Sequence, residues 1–89
     1  MRTESIEIIN KLGLHARAAA KFSTLASQFE CKIEVKHLGR TVNGKSIMGL
    51  MMLAAACGMT IEISTDGEDE QAAMEALNQL IAQRFGEPE

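Results

Sequence analysis

The chain has 89 residues, enough for one domain with one core and little room for a deep substrate cleft. It is 46% hydrophobic and 24% charged, as ordinary soluble globular proteins are, with a net charge of −3, no Trp and no Tyr. That balance speaks against nucleic-acid partners, which select basic surfaces and stack their bases on aromatic rings. Residues 1–45 carry +4 and residues 46–89 carry −7. Either a basic region sits on an acidic body, as suits acidic proteins or phosphate, or both halves are simply solvated faces.

Cys31 and Cys57 stand in no C-x-x-C or Cys/His ligand spacing. We therefore expect two buried thiols in a reducing compartment, with no disulfide framework, no metal site and no cofactor. The start, Met1-Arg2-Thr3-Glu4-Ser5, mixes both charge signs and is not a signal-peptide pattern. The longest apolar run, Ile47 to Cys57, spans 11 residues against the ~20 needed to cross a bilayer. These features predict a cytoplasmic protein without membrane insertion.

Ser5 to Ile9 alternates, with Ile6 and Ile8 on one face and Glu7 on the other, and reads as a strand. Asn10 to Leu14 breaks that pattern with a glycine. From Ala16 the period becomes helical, with Ala19, Phe22, Leu25/Ala26 and Phe29 on one stripe. Cys31 to Lys36 alternates again, and His37-Leu38-Gly39 reads as a turn into a short strand, Arg40 to Val42. In that turn His37 is expected to be exposed and inert.

Asn43-Gly44-Lys45 is a second turn. Ser46 stands where an N-cap belongs, ahead of a short apolar helix that Gly58 can end, with Leu50, Leu53 and Ala54 as its core residues. Thr60 to Ser64 forms the last strand, with Ile61 and Ile63 inward. After Asp66-Gly67, the run Glu68-Asp69-Glu70 suits the first turn of a helix. That helix buries Ala73, Ala76/Leu77 and Leu80/Ile81, holds Arg84 in its last turn, and stops at Gly86. The order βαββαβα predicts a single α+β domain over residues 1–89. We expect an open-faced two-layer sandwich, a four-stranded antiparallel sheet covered on one face by three helices.

His15 falls between the glycine loop and the first helix, with Arg17 two residues on. The N-terminus of a helix offers unpaired N–H groups and a positive dipole end to an anion. Imidazole is a nucleophile, and a guanidinium fork matches phosphoryl oxygens. Together they could accept a phosphoryl group. His15 could equally be a plain polar residue at the helix start.

Gly13-Leu14-His15-Ala16-Arg17 resembles the active-site motif of the histidine-containing phosphocarrier (HPr) family of the bacterial phosphotransferase system. Asn43 to Met51 resembles that family's second signature, around a regulatory serine. Both motifs are in register, and the likeness covers nearly the whole chain. One departure is Ala18, where the family usually has proline; this alters the rigidity of the helix start and leaves the chemistry alone.

The resemblance implies that His15 is phosphorylated on Nδ1 by enzyme I, itself charged from phosphoenolpyruvate. The group then passes to the IIA domains of sugar permeases. It further implies Arg17 as the phosphoryl-stabilising residue and Ser46 as the target of a serine kinase/phosphorylase. The protein would be a monomeric phosphoryl-transfer intermediate rather than a self-sufficient catalyst. A nitrogen-linked carrier, or a binding module switched at Ser46 with His15 unused, are the alternatives within this fold.

Gly39 to Ser46 also satisfies the phosphate-loop pattern G-x-x-x-x-G-K-[ST]. Strand-like Arg40-Thr41-Val42 and the lack of a buried strand ending in a magnesium-binding Asp argue against nucleotide binding. Ile47, Met48 and Met51 fall beside the Ser46 cap, on a different face from Leu50 and Leu53. With Ala20 of the first helix they are the expected partner-binding residues, since flexible Met side chains suit several partners in turn.

Overall fold

A computed structural model describes all 89 residues. The alternating segments become four strands, β1 (Arg2–Glu7), β2 (Lys32–His37), β3 (Arg40–Asn43) and β4 (Thr60–Asp66). They form one antiparallel sheet in the order β1-β4-β2-β3. The helical periods become α1 (Ala16–Ala26), α2 (Ile47–Met52) and α3 (Glu70–Ala82), followed by a 3-10 turn at Arg84–Gly86. This is the expected βαββαβα open-faced sandwich.

Period-2 alternation decides which sheet face is covered. Ile33 and Val35 of β2 and Ile61, Ile63 and Thr65 of β4 point inward, whereas Lys32, Glu34, Lys36 and Glu62 line the other face. The inward row meets Ala18, Ala19, Phe22 and Ala26 of α1, Leu50 of α2, and Ala73, Met74, Leu77 and Ile81 of α3 in one core. Two buried hydroxyls on this side are bonded: Thr65 Oγ1 donates to the Glu70 carbonyl at 3.0 Å. Ser23 Oγ donates to the Lys45 carbonyl at 2.8 Å, tying α1 to the start of α2.

Several expectations need correction. His37 is buried rather than exposed, with Nδ1 3.1 Å from the Thr60 carbonyl oxygen. Its parity continues that of Ile33 and Val35, so it points inward, and the turn is the two-residue Leu38-Gly39 alone. Both take positive φ, 50° and 82°, as a tight hairpin of this kind requires. Cys31 is buried as expected, but Cys57 is exposed. Cys57 sits in a turn closed by Met59 N–H to the Ala56 carbonyl, whose ties to Ile8 are made by main chain.

Helix α2 stops at Met52, well before Gly58, because Ala54 enters the left-handed region at φ 52°. Ala54 is consequently exposed, and Ala55 is buried in its place. The first strand starts at Arg2 and ends before Ile8. Of the acidic run only Glu70 lies in the first turn of α3, and Arg84 lies beyond its end. Asp69 is occupied otherwise: its two carboxylate oxygens accept the amides of Glu30 and Cys31 at 2.8 and 2.9 Å. Bonding to the Glu30 amide holds its carboxyl below the usual carboxylate range. Burial pushes the Cys31 thiol up to about 11.

Candidate functional site

The loop into α1 is built around Gly13, whose φ of +68° is a left-handed conformation. A Cβ there would lie 2.7 Å from the Ala55 carbonyl oxygen and 2.9 Å from Ala56 Cα. Only glycine fits this approach. The next residue, Leu14, is buried, and its N–H donates to the same Ala55 carbonyl at 2.8 Å. The two contacts clamp the loop to the segment leaving α2.

His15 follows as the N-cap of α1, in extended conformation, with its carbonyl accepting from Ala19 N–H at 2.8 Å. Its side chain makes no cap bond. The first amides of the helix have no intrahelical acceptor, so the dipole end beside the ring is open to an anion. Arg17 is exposed within this first turn and forms no ion pair.

The chain's other end reaches the same place. Beyond α3, Arg84 and Phe85 both take positive φ, 56° and 55°, and Gly86 follows at 80°. Left-handed non-glycine residues cost on the order of 1–3 kcal/mol each, so this turn needs anchors. Phe85 is fully buried, and Lys21 Nζ donates to its carbonyl at 2.7 Å. Lys11 N–H donates to the Glu89 carbonyl at 3.0 Å.

Thus held, Glu87 lies on the imidazole, with Oε2 2.5 Å from His15 Nε2. Its other oxygen accepts from Asn10 Nδ2 at 3.0 Å, and Asn10 Nδ2 also donates to the Gly13 carbonyl at 2.8 Å. The bonds from Asn10 and then His15 hold the Glu87 carboxyl below the usual carboxylate range. An ionised carboxylate only accepts, so Nε2 of His15 carries the proton. In the neutral ring Nδ1 then bears the free lone pair. A cleft of about 580 Å³ opens here, lined by Lys11, Leu12, His15, Ala16, Arg17 and the terminal residues 87–89.

Such a site can present an imidazole nitrogen to a small electrophile that carries negative charge, with a guanidinium and a helix end beside it. It suits a phosphoryl group. A family model described as "PTS HPr component phosphorylation site" matches residues 2–83. The chain belongs to the HPr phosphocarrier family. It is 62% identical to the phosphocarrier protein HPr of Neisseria meningitidis over 89 residues, the full length of both. Among solved structures it resembles HPr-C-His from Thermoanaerobacter tengcongensis, with a TM-score of 0.96 and 46% identity over all of both chains. An HPr dimer from the same organism matches with a TM-score of 0.79 and 47% identity, covering 98% of this chain and 100% of that one.

As an HPr-family member the protein has a phosphocarrier role in the phosphotransferase system. The segment Asn43 to Met51 runs from the end of β3 into α2. Ser46 is its N-cap, and Ser46 Oγ accepts from Gly49 N–H at 3.0 Å. Ile47, Met48 and Met51 are exposed, as is Met52, and Met48 is 74% accessible. Ala20 on α1 is half-buried. The start of α2 is bonded to Ser23 and its exit to Leu14, so the helix runs along α1 toward the His15 loop. No hydrogen bond joins Ser46 to His15. Sequence reading missed Asn10 and Glu87; Glu87 stands 72 residues from His15, with no local pattern to link them.

Proposed function

We propose that this protein accepts a phosphoryl group on His15 from enzyme I and passes it to IIA domains of sugar permeases, in the cytoplasm. The observation that carries this reading is the His15 ring itself. Its Nε2–H is given to Glu87, which leaves the Nδ1 lone pair unused, and Arg17 and the open N-terminal end of α1 belong to the same cleft. In the transfer, Nδ1 attacks phosphorus and a new N–P bond forms. The bond from phosphorus to the donor breaks, and its electron pair leaves with the donor. The phosphorylated ring gains positive charge, which the Glu87 carboxylate offsets at Nε2. The assembly needs one copy of the chain, since Asn10, His15, Arg17 and Glu87 belong to a single protomer.

Incubation with phosphoenolpyruvate and enzyme I, followed by intact mass, tests the reading. The protein should gain one phosphate that is lost in acid and survives in base. An unchanged mass would remove the carrier assignment and leave a binding module. Reconstitution with IIA proteins of the sugar and nitrogen branches then decides between those two routes.

Ser46 is, in this reading, the site of a serine kinase/phosphorylase that blocks docking on Ala20, Ile47, Met48 and Met51. Phosphate or Asp at this N-cap can keep the bond from Gly49 N–H and meets the positive helix end. The added charge stands beside apolar side chains that a partner must desolvate. Ser46→Asp should therefore raise the KM for transfer from enzyme I roughly tenfold, equivalent to about 1.4 kcal/mol of lost binding. The melting temperature should stay level or rise. A lower melting temperature together with weaker transfer would mean damage to the fold and would end the docking explanation.

A further inference from the structure

Asn10 is a costly residue for a small core. It is wholly buried, its Nδ2 gives both hydrogens away, to Gly13 O and Glu87 Oε1, and its Oδ1 has no partner. An orphaned buried acceptor is destabilising, because it gives up its hydrogen bonds to water and gains none in return. Turning the amide over gives no relief, because Oδ1 would then face a carbonyl and a carboxylate, both acceptors. A position kept at such cost, one step from the reactive ring, calls for a reason beyond packing.

From this geometry we infer that Asn10 and Glu87 form a positioning relay, Asn10–Glu87–His15, which holds the His15 ring in the Nε2–H form. The inference rests on His15 being the phosphoryl acceptor. Asn10 acts on Glu87, and Glu87 acts on the ring; neither touches the transferred group. The first bond matters because it fixes what residue 87 can offer to the second. With Asn10 donating to one oxygen, the remaining atom of residue 87 must accept from Nε2. Glutamate meets both demands, since its two oxygens are equivalent acceptors.

Glutamine has the same shape and cannot meet both. Its single oxygen is claimed by the Asn10 donor, which turns its NH2 toward His15 Nε2. That ring nitrogen must then accept, the proton moves to Nδ1, and the lone pair that should attack phosphorus is gone. Loss of the working tautomer in a His–carboxylate pair can lower turnover by up to ~10⁴, as in serine proteases. Here the ring is also partly accessible, so water can compete with the misplaced amide. The expected loss is therefore smaller, at least about tenfold, the scale seen when partners that orient a histidine are removed.

The experiment compares the wild type, Glu87→Gln and the double variant Asn10→Ala/Glu87→Gln. Two readouts are taken: ¹⁵N–¹H long-range correlation spectra of the unphosphorylated proteins at alkaline pH, and single-turnover acceptance from phosphorylated enzyme I. His15→Ala identifies which signals belong to His15 and which to His37. Wild type should show Nε2–H at His15. Glu87→Gln should shift the ring toward Nδ1–H and slow acceptance at least about tenfold, with the fold intact by its amide spectrum. Removing the Asn10 donor frees the Gln oxygen to face His15, so the double variant should recover the Nε2–H form and most of the rate. An unchanged tautomer in Glu87→Gln overturns the relay, as does a tautomer change with acceptance within twofold of wild type. If the wild type takes up no phosphate while the tautomers follow the expected order, the acceptor assignment fails and the ring geometry stands.

Discussion

His15→Ala should accept no phosphate from enzyme I, with the fold nearly unchanged. The loss is total because the substitution removes the only proposed nucleophile; the other imidazole, His37, is buried on the inner side of β2 against Thr60. Little stability should follow the ring. His15 makes no side-chain cap to α1, its ring is partly exposed, and its main-chain bond to Ala19 survives truncation. What disappears is the bond to Glu87, which keeps its second partner, Asn10. The check is phosphoenolpyruvate-dependent labelling beside a thermal melt on one preparation. Labelling of the variant would refute the assignment of His15.

Arg17→Ala should slow transfer in both directions by roughly tenfold to a thousandfold, the scale of removing one preorganised charge contact at the reacting group. In the free protein Arg17 is exposed and in no ion pair, and it acts on Glu87 only through its charge at longer range. A cation in the first turn of a helix also opposes the dipole, so local stability gives no reason for an arginine here. Truncation should leave the melting temperature level or slightly higher. Enzyme I affinity should change far less than the transfer rate, because the residues proposed to dock it, on α2, are untouched. Rates within a factor of two of wild type would reduce Arg17 to a surface charge.

These two side chains were readable from the sequence because both sit where one local pattern gives way to another. The strand period ends near Ile8, the helical period begins at Ala16, and His15 and Arg17 flank that change. Ser46 is a similar case, an N-cap side chain just ahead of an apolar helix. Local periodicity also set the element order and the inward faces of β2 and β4. Applied strictly it would have placed His37 inward with Ile33 and Val35; its polarity drew it into the turn instead.

Periodicity says nothing of what meets across the fold. Exposure of Cys57 depends on how its turn is tied to Ile8 by main chain, and that of Ala54 on the left-handed exit of α2. The largest omission is the carboxylate on the imidazole. Glu87 lies in a terminal segment with no helical or strand pattern, and it reaches His15 because Phe85 is buried and Lys21 holds its carbonyl. Sequence alone placed an imidazole at the start of α1, since that follows from residue type and from the change of period at Ala16, and resemblance to the family made it the proposed nucleophile. Which of its nitrogens is free was decided by tertiary structure, because the proton's place depends on a neighbour that only the folded chain brings within 2.5 Å.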